Sequence, residues 1–311
     1  MGRVLEAAEA FWDSLASVRV LPLGLAVACH VVKLACTSRA WTGVLAAAYP
    51  GGVVRWRSIF AAYTAGVGVN AIFPARAGDV VRLYLAHRAI PGASYATLVA
   101  TTLVLTIVDF TFALSLFAWA LTQGVLPGLD VLPSLPSFDF AWLLRHELVA
   151  ELLLALLLTG LVLLALWLHR RARELRSRVA RAFTVLHSPG RYLRTVVLWQ
   201  LCDWSLRAAT IWFSLGAFRI EQSARNVLLV QATLSLATLV PVSPGGIGTE
   251  QAFLVYVLRG QATSSALLAF SVGMRLTLTV VNVAVGFTSI LVTLRTLRFR
   301  RATAPPESDL P

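Results

Sequence analysis

Two short stretches set helix breakers beside charge. The first is Asn70-Ala-Ile-Phe-Pro74-Ala-Arg76-Ala-Gly78-Asp79-Val-Val-Arg82, and the second is Pro241-Val-Ser-Pro244-Gly245-Gly246-Ile-Gly248-Thr-Glu250-Gln251. In each, a glycine follows a proline by four residues and a carboxylate lies just beyond it (Pro74 to Gly78, Pro244 to Gly248). Proline and glycine interrupt helices. In the second stretch the glycines leave backbone N–H groups open, and a helix starting at Thr249 would aim its positive end at the break. That is the chemistry of an anion site. Glu250 also suits the first turn of a helix, so two readings stand: the glycines hold a phosphate, or the glutamate only caps. A nucleotide P-loop is excluded, because no Lys-Ser/Thr follows. In the first stretch Arg76 and Arg82 flank Asp79. Either Asp79 and Arg82 form a local i,i+3 salt bridge, or the arginines hold a lipid phosphate while Asp79 meets a cation or proton. Asn70, one turn before Pro74, can bond the carbonyl that the proline leaves free.

Further polar residues sit inside apolar runs. Gln200, Asp203, Arg207, Thr210 and Ser214 repeat at intervals of three and four, one stripe of a helix. Asp203 and Arg207 make an i,i+4 pair. The stripe is either the wall of a substrate path or a structural ion pair. Asp109 has no basic partner in its own run; it pairs across the bundle, with an arginine such as Arg275, or sits protonated. Arg275 and Asn282 share a side with Ser271 and Ser289; Arg275 suits a phosphate, since its guanidinium forks onto two oxygens, or it answers Asp109 or Asp79. The three cysteines show no CxxC spacing and the five histidines are scattered, so no metal site or cofactor is expected.

The elements that must position these groups are membrane helices. The chain is 58% hydrophobic and only 14% charged, with mean hydropathy +0.75, too apolar for a soluble globule of 311 residues. The net charge of +12 is carried almost wholly by arginine in clusters between apolar runs. That pattern orients a membrane protein and argues against nucleic acid. Spans are expected at 20–36, 94–121, 147–168, 194–216 and 263–294. Residues 1–18 read as an amphipathic interfacial helix, 19–296 as a single transmembrane domain, and 297–311 as a polar cytoplasmic tail. The arginine-rich segments 37–57, 169–194 and the tail are expected in the cytoplasm, with 122–146 outside. Those assignments conflict with one crossing at each motif stretch. They agree if 58–90 and 226–258 dip in and return, from opposite sides. The expected fold is an all-α, multi-pass helix bundle with two broken or re-entrant hairpins in inverted-repeat topology, the alternative being two full spans per stretch. Paired Gly/Pro-interrupted segments of this kind mark a transporter's midplane site.

Both motifs together resemble the lysylphosphatidylglycerol synthase transmembrane-region family, over roughly 20–295. These are flippase-like proteins that include the amino-terminal part of the multiple peptide resistance factor. The first motif has Asp79 where glutamate is more usual. The resemblance implies a bacterial plasma (inner) membrane protein that moves a lipid across the bilayer: an aminoacyl phospholipid, a polyprenyl-linked sugar or another glycolipid. Synthetase members carry a soluble catalytic domain after the membrane part, and this chain ends in a short polar tail, so it is not expected to be an enzyme. The other readings are an integral-membrane lipid-modifying transferase, and a non-transporting partner of a glycosyltransferase or lipid synthetase.

Overall fold

The computed structural model describes residues 9, 11–13, 15–73, 76–123, 179–239 and 248–302. The described residues fold into helices. Helix α1 (Val20–Ala48) is a continuous apolar run with Pro22 in its first turn, where its missing N–H does no harm. It stops before Tyr49-Pro50-Gly51-Gly52. Helices α2 (Trp56–Ile72) and α3 (Ala77–Ala89) flank the first motif. α4 (Tyr95–Thr122) follows. A 3-10 turn (Phe183–His187), a short helix (Pro189–Tyr192) and a π turn (Leu193–Val197) lead into α5 (Leu198–Ala217). α6 (Ala224–Leu239) and α7 (Thr249–Val257) flank the second motif, and α8 (Ser264–Ala302) closes the order.

α1 and α5 lie antiparallel at the centre. Arg19 N–H donates to Ala217 O, Thr37 bonds Asp203, and Gly43 packs on the Thr195 backbone. The α2/α3 hairpin stands at the Ala48 end of this pair, where Ile59 and Ile90 join Trp41, Val44, Leu45 and Tyr49 in one apolar cluster. The α6/α7 hairpin stands at the opposite end, where Val227, Leu254 and Leu258 cluster with Leu215 and Phe218, packed against Leu15, Val18 and Leu23. The two hairpins therefore pack against opposite ends of the central pair. α8 touches both. Gly68 and Gly286 meet backbone to backbone: a Cβ on Gly286 would lie 2.6 Å from Gly68 Cα. Thr64 donates to Ser289 Oγ at 2.7 Å beside them. Small residues at such crossings are what packing between helices in lipid requires.

Large apolar side chains face outward on α1 (Val20, Leu21, Leu25, Val32), α4 (Leu103, Ile107, Phe110, Leu114) and α8 (Leu276, Val280, Phe287, Leu291). Meanwhile Asp203, Gln200, Thr64, Gln231 and Ser271 are buried. That inside-out distribution suits a lipid environment. Among the described residues, three helices are long and apolar enough to cross a bilayer: Val20–Ala48, Tyr95–Ala120 and Ser264–Thr293.

Several expectations change. α1 runs to Ala48, so the span expected to stop at 36 is longer and the connection shrinks to 49–55. Thr37 and Ser38 stay helical because their hydroxyls are bonded, and Trp41, Val44 and Leu45 bury the extra turns. Arg39 then stacks over Trp56 at 4.6 Å instead of lying in a loop. α5, expected as a span, is not among the sufficiently apolar helices; its polar stripe faces the protein interior. α8 continues helical to Ala302, into the expected tail. The expected span 147–168 and segment 122–146 lie, apart from 122–123, outside the described residues, as does 169–178 of the segment 169–194.

Candidate functional site

At the first break, Phe73 turns extended (φ −97°, ψ 133°), as the residue before proline must. Arg76 then takes a left-handed conformation (φ 57°, ψ 33°) and α3 begins. An L-residue with a Cβ holds that region only under constraint. The constraint is the contact behind it: a Cβ on Gly78 would fall on the Gly66 carbonyl oxygen. Asn70 locks the junction, accepting the Gly78 N–H at 2.7 Å and donating to Asp79 Oδ1 at 3.3 Å. The Asn70 side chain thus bonds the returning helix rather than a carbonyl freed by Pro74, because the return puts a helix-start N–H within its reach. Arg82 pairs with Asp79 at 3.4 Å and lies over Trp41 and Tyr63, 5.2 and 5.9 Å from their ring centres. Arg76 is exposed. Pro74 lies outside the described residues.

At the second break, α7 starts at Thr249 behind Gly248, whose φ of 89° favours glycine. Gln251 reaches back and accepts the Gly248 N–H at 2.7 Å. Glu250, in the first turn, accepts from Arg275 Nη1 of α8 at 2.7 Å. Pro244, Gly245 and Gly246 lie outside the described residues. A mostly apolar cleft of about 1000 Å³ opens here, with Phe11, Tyr256, Leu268 and Leu276 on its walls and Gly248, Gln251 and Arg275 at its polar end.

Between the hairpins lies a polar centre. Asp203 is 1% exposed; its Oδ1 accepts from Thr37 and its Oδ2 from Arg207 Nε at 2.6 Å. Arg207 also reaches Asp109 at 3.6 Å, and Trp204 Nε1 donates to the same carboxylate at 3.0 Å. Asp203 is thereby satisfied, as its burial demands, and Asp109, with a side chain 36% exposed, shares the same arginine. Asp109 therefore pairs with Arg207 and not with Arg275, which Glu250 engages. Gln200 spends its amide on the Leu105 carbonyl at 3.3 Å. His30 Nε2 and Asn282 Oδ1 are 2.8 Å apart, joining α1 to α8. A chamber of about 210 Å³ opens beside this centre, bordered by His30, Lys33, Arg207, Thr210 and Gln231.

The sequence profile described as the lysylphosphatidylglycerol synthase TM region matches residues 5–286. The chain belongs to that family. No curated protein and no solved structure gives a significant match.

For this member of the lysylphosphatidylglycerol synthase TM family, the structure gathers Asp109, Asp203 and Arg207 into one network and joins Glu250 to Arg275. Asn70, Gly78, Asp79 and Arg82 form a separate cluster at the first break, and Asn282 bridges toward the chamber. Sequence reading missed His30, Lys33, Thr37 and Gln231. A signal was present: polar residues at i, i+3 and i+7 in the α1 apolar run, one of them the only lysine in the chain.

Proposed function

We propose that this protein is a non-enzymatic lipid transporter. It moves an anionic or lipid-linked headgroup past the two motif breaks, and the α2/α3 and α6/α7 hairpins are re-entrant halves of an inverted repeat. The observation that carries the reading is the shared hold on α8. Arg275 grips the second break, and Asn282 and Gly286 grip the first hairpin. Seven residues separate Arg275 from Asn282, about 10 Å of helix. Gly68 of the first hairpin and Glu250 of the second motif therefore contact neighbouring turns of α8, with the polar chamber nearby.

Three further features support it. α3 has 13 residues and α7 has 9, each short of the roughly 20 that cross a bilayer. The order helix, hairpin, helix occurs twice (α1 to α4, α5 to α8), and exchanging the halves turns the α2–α8 contact into the α6–α4 contact, which also exists. The apolar cleft ending at Arg275 suits an acyl chain whose headgroup lies toward the second break. A membrane lipid or lipid-linked saccharide is the partner this arrangement serves, with a lipid synthetase or glycosyltransferase as its source.

Reconstituted protein should speed exchange of fluorescent lipids between leaflets, and Arg76→Ala or Glu250→Ala should abolish that exchange while expression and elution profile persist. Unchanged exchange in both variants would remove the breaks from the path.

A further inference from the structure

The chamber beside Lys33 is built like a ligand seat. Arg207 is committed to Asp203 and Asp109, and the His30 Nε2 to Asn282. Lys33, on the same chamber, makes no side-chain hydrogen bond and no ion pair within 4 Å among the described residues. Its three N–H donors meet no acceptor, and the Asp203 and Asp109 carboxylates act on its charge only from beyond 4 Å, in a helix long and apolar enough to cross a bilayer, where charge is costly unless it is closely paired. Gln231 gives an independent sign. It is 5% exposed, borders the same space, and its amide has no hydrogen-bond partner among the described residues. Thr210 adds a hydroxyl whose proton goes to Leu206 O.

We infer that this chamber seats one phosphate-sized anionic group, held by the Lys33 ammonium and the Gln231 amide. Lysine is a compact point charge suited to phosphate, and the amide supplies two donors. Size selects the ligand further. A volume of about 210 Å³ equals roughly seven waters at about 30 Å³ each and falls below the common range of whole-ligand sites. A phosphodiester fits; a bulky saccharide does not. The inference rests on the transport reading only for the source of the ligand, a lipid headgroup rather than free phosphate.

The test uses the full chain in phosphatidylcholine nanodiscs, with dihexanoyl phosphatidylglycerol and inorganic phosphate as calorimetric probes. Lys33→Met should weaken binding about tenfold, Gln231→Leu about threefold, and Lys33→Arg should retain most of it. Unchanged affinity in a folded Lys33→Met protein overturns the seat. Should that variant not fold, Gln231→Leu carries the test, and unchanged affinity there overturns it equally. Saturable binding of inorganic phosphate alone upholds the seat and assigns it to free phosphate; preference for the short-chain lipid upholds it and assigns a headgroup. Wild-type protein that binds but exchanges no lipid overturns transport and leaves the seat standing. Lipid exchange with Lys33→Met unaltered in both binding and rate removes the seat and leaves transport.

Discussion

In the first hairpin the returning helix is pressed against the descending one, Gly78 on Gly66, and Asn70 of one arm caps the start of the other. In the second hairpin Gly248 has open space around its Cβ position, and the helix caps itself through Gln251. The carboxylates follow the same division. Asp79 finds Arg82 on its own helix, whereas Glu250 finds Arg275 on α8. One motif is closed within its own hairpin and the other is latched to a neighbour. Two similar sequences thus give a fixed element and a tethered one.

The comparison breaks outright if the hairpins stand on the same side. With Cys29, Cys36 and Cys202 replaced, Pro91→Cys and Arg259→Cys should react with an impermeant maleimide from opposite faces of a sealed vesicle. Labelling from one face would end the inverted arrangement. Gly78→Ala tests the closed hairpin: its methyl group would fall on the Gly66 carbonyl oxygen and within 2.8 Å of Asn70 N and Cγ, so the loss should be about 3 kcal/mol or more. Gly248→Ala meets no atom and should cost only about 1–2 kcal/mol, from its positive φ. Equal losses in apparent thermal midpoint would erase the contrast. The acids divide the same way. Glu250→Gln, at a half-buried charge-assisted bond, should cost about 1.5–3 kcal/mol. Asp79→Asn, at a side chain 35% exposed, should cost no more than about 1 kcal/mol. A larger loss for Asp79→Asn would mean that the first motif, not the second, is the one under load.

Much of the bundle was legible because breakers act locally. Pro74 and Pro244 with their glycines marked both hairpins to within a few residues, and the i,i+4 spacing of Asp203 and Arg207 forced them onto one stripe. The longer reach of α1 was not legible: Thr37, Ser38 and Arg39 look like a helix end until their partners across the bundle are known. Nor was the partner of Asp109, since Trp204 and Arg207 become its neighbours only when α4 packs beside α5.

The sequence alone determined that this chain lives in a membrane, that two of its helical elements are interrupted, and where charge enters apolar runs. Those properties follow from composition and from constraints spanning a few residues. Tertiary structure alone decided which arginine answers which carboxylate, that α8 touches Gly68 of the first hairpin and Glu250 of the second, and that the lone lysine borders a chamber with Gln231. Such pairings join residues far apart in the chain, and only the close approach of helices through positions such as Gly68 and Gly286 sets the distances over which buried charges can compensate one another.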